Sequence, residues 1–399
     1  PEPYTLVLHE GAQAELPPLD PRAPANLPLK LTAALRNLPE VSGRDVQLLP
    51  FGPVRADVLE SAQFLFFYIG EGILHYQPRL FFKHRGMEKR FEGLAAEPGA
   101  LLAERVSGVG GVAHSLAYCQ AVEAAAGCTV PPRAQWLRVV LAEMERLYNH
   151  LHYLGHLCHT TTLKVGEAQG KLLEERAKQI NAQLTGSRFL WGVVTPGGLR
   201  HDLDTTRLGA ALETLRNEFT VYAALLERTN SHLDRLFATG VLNRQTAFDQ
   251  GATGPVERAS GLDRDLRRDH PYAAYHALPP VVPTRKTGDA YARMQIRFAE
   301  IEASLALMQQ ALPRLPDGPV TSAYRASPRT EGLGWSESPR GSLYYAVHFD
   351  ADGRLARVKI KSPSFSNWRV FPFVVHDSNM MDYAINEASF GLTIAGCDR

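Results

Sequence analysis

Apolar residues recur at helical spacing through the middle of the chain. Counted along a period of 3.6 residues, they predict long helices over 111–126, 132–158, 166–186, 203–239 (as one or two helices) and 288–313. Gly127 is a helix stop, and Pro131 and Pro132 open the next helix. Shorter helices are predicted at 30–38, 241–247 and 379–387. The middle of the chain is therefore predicted to be a helical bundle.

Alternating apolar positions indicate β-structure towards both ends. Strands are predicted at 4–9, 46–50, 62–69 and 72–77, the last two joined by a tight turn containing Gly70 and Gly72. Residues 344–362 alternate around Asp352-Gly353, which predicts a hairpin. Residues 248–288 are rich in glycine, proline and charge and are predicted to be mostly loop.

These elements predict the α+β class, with a central long-helix bundle and β-rich N-terminal and C-terminal elements. The division that follows has three parts. They are an N-terminal α+β region over 1–90, a helical core with its long loop over 91–330, and a C-terminal hairpin with the terminal segment over 331–399.

Composition removes several classes of function. The 399 residues carry a net charge of +1, which argues against a basic nucleic-acid surface or binding to acidic lipid. The longest apolar runs, such as residues 65–70, are too short to span a bilayer, and the first residues lack the pattern of a signal peptide. The four cysteines form no C-x-x-C pair, so neither a zinc ribbon nor a disulfide framework is expected. The protein is expected to work in a reducing compartment.

Histidines cluster near the end of the predicted 132–158 helix. His152, His156 and His159 fall on one face at i, i+4 and i+7, with His150 beside them, a spacing that could bind zinc. No carboxylate completes the set nearby in the sequence, so the structural interpretation is favoured.

Eight short motifs point to a family. In chain order they are GPVRAD (52–57), HRGMEK (84–89), RVSGVGGVAHS (105–115), PPRAQWLRVVLAEMERLYNHL (131–151), TPGGLRHDL (195–203), RRDHPYAAY (267–275), ESPRG (337–341) and CDR (397–399). From about residue 50 onward the chain resembles the superfamily that joins complex I D-type subunits with the large subunits of group 4 membrane-bound [NiFe]-hydrogenases, and within it the hydrogenase-like branch. The resemblance implies a fold like that of a [NiFe]-hydrogenase large subunit.

The resemblance also exposes missing metal ligands. In the hydrogenases, the segments that match 105–114 and 392–399 each carry a C-x-x-C pair, and the four thiolates hold nickel and iron. Here the first pair falls on Ser107 and Gly110, and the second on Thr393 and Gly396. Such a centre needs soft thiolates. The chain is therefore expected to hold no metal at this place, which we call the vacated site.

Four residues are the candidates for chemistry at the vacated site. The resemblance implies that Glu88 lies on a proton path, where burial could raise its pKa; the alternative is a structural ion pair between Arg85 and Glu88. It also implies that His114 lies close to the vacated site, with a core hydrogen bond as the alternative. Arg340 would face an iron–sulfur cluster in a neighbouring subunit, where a guanidinium can raise the cluster potential; turn formation is the alternative.

Four further residues are candidates for cofactor binding: Arg55, Arg105, Ser107 and Gly108. Two of them stand where D-type subunits hold quinone. The family histidine of the GPxH loop is replaced by Arg55, and the family tyrosine by Gly108. A quinone would then need other donors, for instance Ser107 or His114. Arg105 would face the neighbouring cluster or its thiolates.

The resemblance implies a subunit of a membrane-bound, ion-translocating oxidoreductase, placed peripherally at the cytoplasmic face of the cell membrane. No cofactor is expected on the chain itself, although quinone is possible. Expected partners are a small subunit with a [4Fe–4S] cluster, membrane antiporter-like subunits and a C-type (30-kDa-like) subunit, and no nucleic acid. The alternatives are a quinone-reducing D-type subunit with non-standard ligands, and a structural or assembly subunit.

Overall fold

A computed structural model describes residues 5–7, 13–15, 45–54, 60–325, 327–376 and 378–399. The chain divides into two compact units, Pro1–Val46 and Gln47–Arg399. The first contains an antiparallel pair, β1 (Thr5–Val7) with β2 (Gln13–Glu15), so a strand does lie within the predicted 4–9. The predicted helix at 30–38 and Arg55 lie outside the described residues. The three-part division at residues 90 and 330 stays a prediction.

Helices form most of the second unit. In chain order they are α1 (Met87–Arg90), α2 (Ala96–Glu104), α3 (Gly111–Ala126), α4 (Pro132–Thr160), α5 (Lys164–Thr185), α6 (Leu208–Leu226), α7 (Asn230–Leu236), α8 (Arg244–Asp249), α9 (Pro255–Ala259), α10 (Leu266–Asp269), α11 (Ala290–Ala311), α12 (Pro363–Val370), α13 (Pro372–Val375), α14 (Tyr383–Phe390) and α15 (Ile394–Asp398). The predicted long helices are confirmed, with 203–239 divided into α6 and α7. Within the described ranges, no helix is both long enough and apolar enough to cross a bilayer.

Two three-stranded antiparallel sheets flank the helices. The first has the order β3 (Gln47–Phe51), β4 (Gln63–Ile69), β5 (Gly72–Arg79). The second has the order β10 (Leu355–Lys361), β9 (Gly341–Phe349), β8 (Glu331–Ser338). A short pair, β6 (Val194–Thr195) with β7 (Gly198–Leu199), forms within the TPGGLRHDL motif. The predicted 62–77 and 344–362 hairpins are confirmed, as is the α+β class.

Residues 248–288 are mostly loop, as predicted, although the short helices α9 and α10 lie within the segment and α8 ends in it. These helices were not predicted because of the kind of residue that the segment buries. Arg258 and Arg267 are at most 2% exposed, although their side chains are charged. A pattern of apolar positions cannot detect an element whose inward face is ionic.

Glycines set how closely the second sheet packs on the bundle. A Cβ on Gly334 of β8 would lie 2.1 Å from the Ala117 carbonyl oxygen of α3, and one on Gly332 would lie 2.0 Å from that of Ala121. The strand backbone thus rests directly on the helix backbone. This contact places the β8–β9 turn, which carries Arg340, against the bundle.

Candidate functional site

The two segments that lack cysteines meet in the fold. Ser107 immediately precedes a 3-10 turn at Gly108–Gly110, which leads into α3. Thr393 caps the N-terminus of α15, its side chain accepting from the Gly396 amide. A Cβ built on Gly396 would lie 3.7 Å from Ser107 Oγ. The positions that matched the metal-ligand motif are therefore brought together, as the resemblance predicted.

Hydroxyl groups line the vacated site. Thr393 Oγ1 lies 3.0 Å from Ser364 Oγ, and Ser362 Oγ donates to the Gly396 carbonyl over 2.5 Å. A Cβ on Gly396 would lie only 2.6 Å from Thr393 Oγ1, so the backbone there is packed around a glycine. Hydroxyls engaged within their own segments are not the soft donors that nickel and iron require. These residues do not fit a NiFe centre.

Other possible ligands do not replace them. Within residues 60–325, 327–376 and 378–399, no three histidine, cysteine, aspartate or glutamate side chains are arranged to hold a metal. Cys397 is buried, and burial together with the charge of Asp398 raises the pKa of its thiol to about 12. That thiol stays protonated at neutral pH and is a poor ligand.

The terminal segment is hydrogen-bonded to the residues that precede β4 and α1. Glu60 accepts hydrogen bonds from the amides of Ile394 (2.5 Å) and Ala395 (2.8 Å), at the N-terminus of α15. The Lys83 amide donates to Asp398 Oδ2 over 2.9 Å, and His84 Nδ1 lies 2.7 Å from the Asp398 carbonyl oxygen. These contacts hold residues 394–398, which contain the second of the two segments that lack cysteines, in place.

Arg85 links the two segments. Its guanidinium donates to the carbonyl oxygens of Arg105 (3.0 Å) and Val106 (2.5 Å), immediately before Ser107. Its backbone amide donates to the carbonyl of Arg399 over 3.0 Å. Arg85 therefore orients the vacated site through carbonyl groups, and does not pair with Glu88.

Glu88 differs from both interpretations drawn from the sequence. It forms ion pairs with Lys359 and with Arg399, and it accepts from the Ile360 amide at 3.0 Å. Burial alone would raise its pKa, but these hydrogen bonds and charges outweigh burial and lower the pKa. The expectation of a raised pKa is wrong, because β10 and the terminal segment supply cations that lie more than 270 positions away along the chain. Glu88 is ionised and holds β10 to α1 and α15.

His114 is a core residue with one edge towards the vacated site. Its Nδ1 lies 2.7 Å from the hydroxyl of Tyr345, and the two rings pack edge to face. A Cβ on Gly110 would lie 3.5 Å from His114 Cδ2. Burial, with the charge of Arg85, lowers the pKa of His114 to about 3, so the imidazole is neutral at neutral pH.

Arg340 lies beside the terminal segment, and no carboxylate of the described residues lies in ion-pair range of it. It donates to the Gly391 carbonyl over 2.8 Å and to Asn149 Oδ1 over 2.7 Å. Burial lowers its pKa to about 10, so it remains a cation. Arg297 donates to the neighbouring Phe390 carbonyl over 3.2 Å. The two guanidiniums thus meet the negative end of α14 just before Thr393.

Trp191 explains the glycines at 108 and 111, and sequence reasoning missed it. A Cβ on Gly108 would lie 3.4 Å from Trp191 Cζ2, and one on Gly111 would lie 2.6 Å from Trp191 Nε1. Arg105 stacks over this indole, its Cζ 4.1 Å from the ring centroid. Within this chain Arg105 is therefore engaged by Trp191. The glycines before α3 were the only signal that a large side chain packs there.

Glu104, also missed, is a buried carboxyl at the end of α2. Its Oε1 accepts from the Gly192 amide over 2.8 Å, and its Oε2 is buried without a hydrogen bond. Burial raises its pKa to about 7, against the opposing effects of Gly192, Arg105 and Arg200. A carboxyl with a raised pKa in the folded state stabilises the fold at low pH, and this stability is lost as the pH rises towards that pKa.

A Glu104→Gln variant is therefore expected to gain stability relative to the parent as the pH rises. The relative gain between pH ~5 and pH ~8 is expected to be about 2–3 kcal/mol, since one pKa unit is worth about 1.4 kcal/mol. Chemical denaturation at both pH values measures it. Glu97→Gln, on the same helix but exposed, is the control. Parallel pH profiles for Glu104→Gln and the parent would contradict the assignment.

The histidine cluster pairs with carboxylates that the local sequence does not show. His152 Nδ1 lies 3.0 Å from Glu174 and His159 Nδ1 lies 3.1 Å from Glu167, both on α5. His150 bonds Glu300 of α11 at 2.8 Å. The expectation that no carboxylate lies nearby is wrong, because α5 packs along α4. Each of the three carboxylates also pairs with lysine or arginine side chains, so these histidines take part in ion-pair networks between neighbouring helices.

Two families match the chain. The family described as "Respiratory-chain NADH dehydrogenase, 49 Kd subunit" matches residues 172–331 and 321–399, and "Nickel-dependent hydrogenase" matches residues 85–186. Formate hydrogenlyase subunit 5 of Escherichia coli is 33% identical over 351 residues, which cover 86% of this chain and 61% of that protein. Hydrogenase-4 component G of the same organism is 33% identical, over 85% of this chain and 59% of that protein. The chain thus spans about three fifths of the length of these two relatives.

A third relative matches nearly end to end. NADH-quinone oxidoreductase subunit 4 of Thermus thermophilus is 30% identical over 390 residues, 89% of this chain and 94% of that protein. A chain in the structure of the membrane-bound sulfane sulfur reductase, an archaeal respiratory membrane complex, superimposes with a TM-score of 0.83 at 26% identity, over 89% of this chain and 99% of the other. The chain belongs to the family of the 49 kDa subunit of respiratory-chain NADH dehydrogenase, and it is also related to the nickel-dependent hydrogenases.

Proposed function

We propose that this chain is a large subunit, without a NiFe centre of its own, of a membrane-bound, ion-translocating oxidoreductase complex. One observation carries the proposal. Ser107, Gly110, Thr393 and Gly396 stand where four thiolates would be needed, in two segments that the fold still brings together. The relatives support the setting, since they are subunits of complex I-like and hydrogenase complexes.

The partners in this proposal follow from the family. The chain docks on a small subunit that carries a [4Fe–4S] cluster, on membrane antiporter-like subunits and on a C-type (30-kDa-like) subunit, at the cytoplasmic face of the membrane. Arg340 is the residue assigned to the cluster side. It is a cation beside the vacated site with no ion-pair partner among the described residues, and a nearby positive charge raises a cluster potential.

Within this proposal the residues around the vacated site transmit a change of charge or position. Arg85 contacts both segments, and Glu88 ties α1 to β10 and to Arg399. His114 connects the turn at Gly110 with Tyr345 of β9. A shift at either segment therefore reaches the second sheet through Glu88 and His114.

The quinone alternative depends on Ser107 or His114 as donors. Ser107 is 6% exposed and His114 is 3% exposed, and His114 Nδ1 already faces Tyr345. Redox activity of the complex with added quinone, abolished in a His114→Ala variant, would favour this alternative. If Glu88→Gln and Arg340→Ala both left turnover unchanged, the assembly-subunit alternative would be preferred.

Metal analysis tests the main proposal. The purified chain is expected to contain no stoichiometric nickel after expression in a host that matures [NiFe]-hydrogenases, because hydroxyls and glycines occupy the ligand positions. A cysteine-bearing hydrogenase large subunit, produced in the same cells, is the positive control. Stoichiometric nickel in this chain, with the control loaded, would overturn the proposal.

A further inference from the structure

Seven charged side chains meet in the core where α4, α9, α10, α11 and β8 pack together. Three are arginines and four are carboxylates, and the side chains are 0–2% exposed. We call them the buried ion cluster: Arg146, Arg258, Arg267, Glu143, Asp265, Glu300 and Glu337.

Two guanidiniums hold each of three carboxylates. Glu143 lies 3.3 Å from Arg146 and 3.0 Å from Arg267; Asp265 lies 2.7 Å from Arg267 and 3.4 Å from Arg258; Glu300 lies 2.7 Å from Arg258 and 3.2 Å from Arg146. These contacts outweigh burial, and the pKa of each of the three carboxyls is lowered. All three are ionised at neutral pH.

Glu337 is different, because among the described residues a single guanidinium contacts its carboxyl group. Its Oε1 lies 3.0 Å from Arg258, while its Oε2 faces the hydroxyl of Ser342 at 3.1 Å and the Leu266 amide at 3.4 Å. Arg146 binds the backbone carbonyl of Glu337 and not its side chain. Burial, together with the charge of Asp265, raises the pKa of Glu337.

The charge count leaves one carboxylate too many. Three guanidiniums balance three carboxylates. A fourth carboxylate in a dry interior costs roughly several kcal/mol unless it is neutralised by a proton. One further buried cation, Arg297, interacts electrostatically with Glu300, but its guanidinium donates to the backbone carbonyls of Arg293 and Phe390 and does not contact Glu337. His150 is neutral because burial lowers its pKa to about 4, and Glu257 adds a further carboxyl, which pairs with Arg264. The hydroxyls of Tyr272, Tyr275 and Tyr344 have raised pKa values and stay neutral.

We propose that Glu337 is a proton-binding site, which holds its proton in the folded protein at neutral pH and exchanges it with solvent through Ser342. The Ser342 side chain is half-buried, and it also accepts from Thr253 Oγ1 over 2.9 Å. On release, the proton passes from the Glu337 carboxyl to Ser342 Oγ, and the hydroxyl gives up its own proton to water. The cluster then carries one more negative charge, and on uptake it loses that charge.

The position of Glu337 suggests a role for this proton in coupling to Arg340. Glu337 lies near the end of β8, three residues before Arg340, which lies in the turn between β8 and β9. In the complex proposed above, a change of charge beside Arg340 would favour uptake or release at Glu337. This role depends on the proposed function; the presence of the proton does not.

Two glutamine variants of the full chain test the site. Glutamine copies the shape of a protonated carboxyl, so Glu337→Gln is expected to keep the parent's melting temperature near neutral pH and to exceed it at higher pH. The sign follows from the raised pKa, since the parent loses stability as the pH rises through that value. Glu300→Gln is the matched control, expected to melt at a lower temperature at every pH because it leaves two guanidiniums without their partner. If Glu337→Gln were as unstable as Glu300→Gln, the site would be rejected.

Infrared spectroscopy gives a second, direct measurement. The parent is expected to show a protonated-carboxyl band at neutral pH that Glu337→Gln lacks. In Ser342→Ala the same band is expected to remain but to exchange with deuterium more slowly. This variant keeps the proposal testable if Glu337→Gln does not fold. A parent spectrum without any such band would overturn the proposal.

The proposed coupling between Glu337 and Arg340 is tested separately in the assembled complex. Glu337→Gln is expected to flatten the pH dependence of turnover. An unchanged pH profile, together with the infrared result above, would reject the link to Arg340 and leave the proton-binding site standing. The two claims therefore fail independently.

Discussion

Replacing Arg258 with methionine is expected to lower the free energy of unfolding by about 3–5 kcal/mol, the usual cost of removing one partner from a buried ion pair. Arg258 is fully buried and contacts Glu300, Glu337 and Asp265. Methionine fills part of the volume but leaves carboxylates without their cation. Urea denaturation at neutral pH measures the change.

Arg216→Met is the matched control. Arg216 pairs with Glu302 at the surface, where their side chains are 34% and 38% exposed. An exposed pair of this kind contributes about 1 kcal/mol or less. Equal losses in the two variants would show that the buried ion cluster does not have the energetic role given to it here.

Replacing Gly334 with valine is expected to cost about 1–3 kcal/mol or more, because it forces side-chain volume into a backbone contact. A Cβ at this position would lie 2.1 Å from the Ala117 carbonyl oxygen and 2.5 Å from the Ala121 amide nitrogen. Both atoms belong to the backbone of α3 and cannot turn aside. Thermal unfolding is the measurement, and β8 should be displaced from α3.

Gly72→Ala is the comparison on the other sheet. Its Cβ would meet a single atom, the Ile69 carbonyl oxygen, at an ordinary 3.6 Å. This variant should unfold close to the parent. If Gly334→Val were equally well tolerated, β8 would be able to move away from the bundle without loss.

Local patterns were enough to predict most of the fold. The Gly127 stop and the Pro131–Pro132 start lie where α3 ends and α4 begins, and the Asp352-Gly353 turn lies between β9 and β10. These signals act within a few residues, so the sequence shows them directly. The sequence could not show that the buried faces of α9 and α10 carry charged side chains. These helices bury Arg258 and Arg267, which resemble surface residues in any hydropathy pattern.

The site divides in the same way. Aligned motifs were enough to predict that residues 107–110 and 393–396 meet, because the family fold fixes their places. The partners of individual side chains were not predictable. Glu88 finds Lys359 and Arg399, and Arg105 finds Trp191, through contacts set by packing between distant elements. The assignments of Arg85, Glu88, His114 and Arg340 to energy transfer stay proposals.

The fastening of the last residues has a consequence for biosynthesis. Lys83 and Asp398 are 315 positions apart, yet they are hydrogen-bonded, and Glu60, Arg85 and Ser107 also meet the segment after residue 390. Contacts with such large sequence separation form late, after local helices. On the ribosome, the polar groups of Glu60, Lys83 and Arg85 therefore stay uncovered until residues 391–399 have been synthesised. During that interval the nascent chain offers chaperones a surface that the finished subunit conceals.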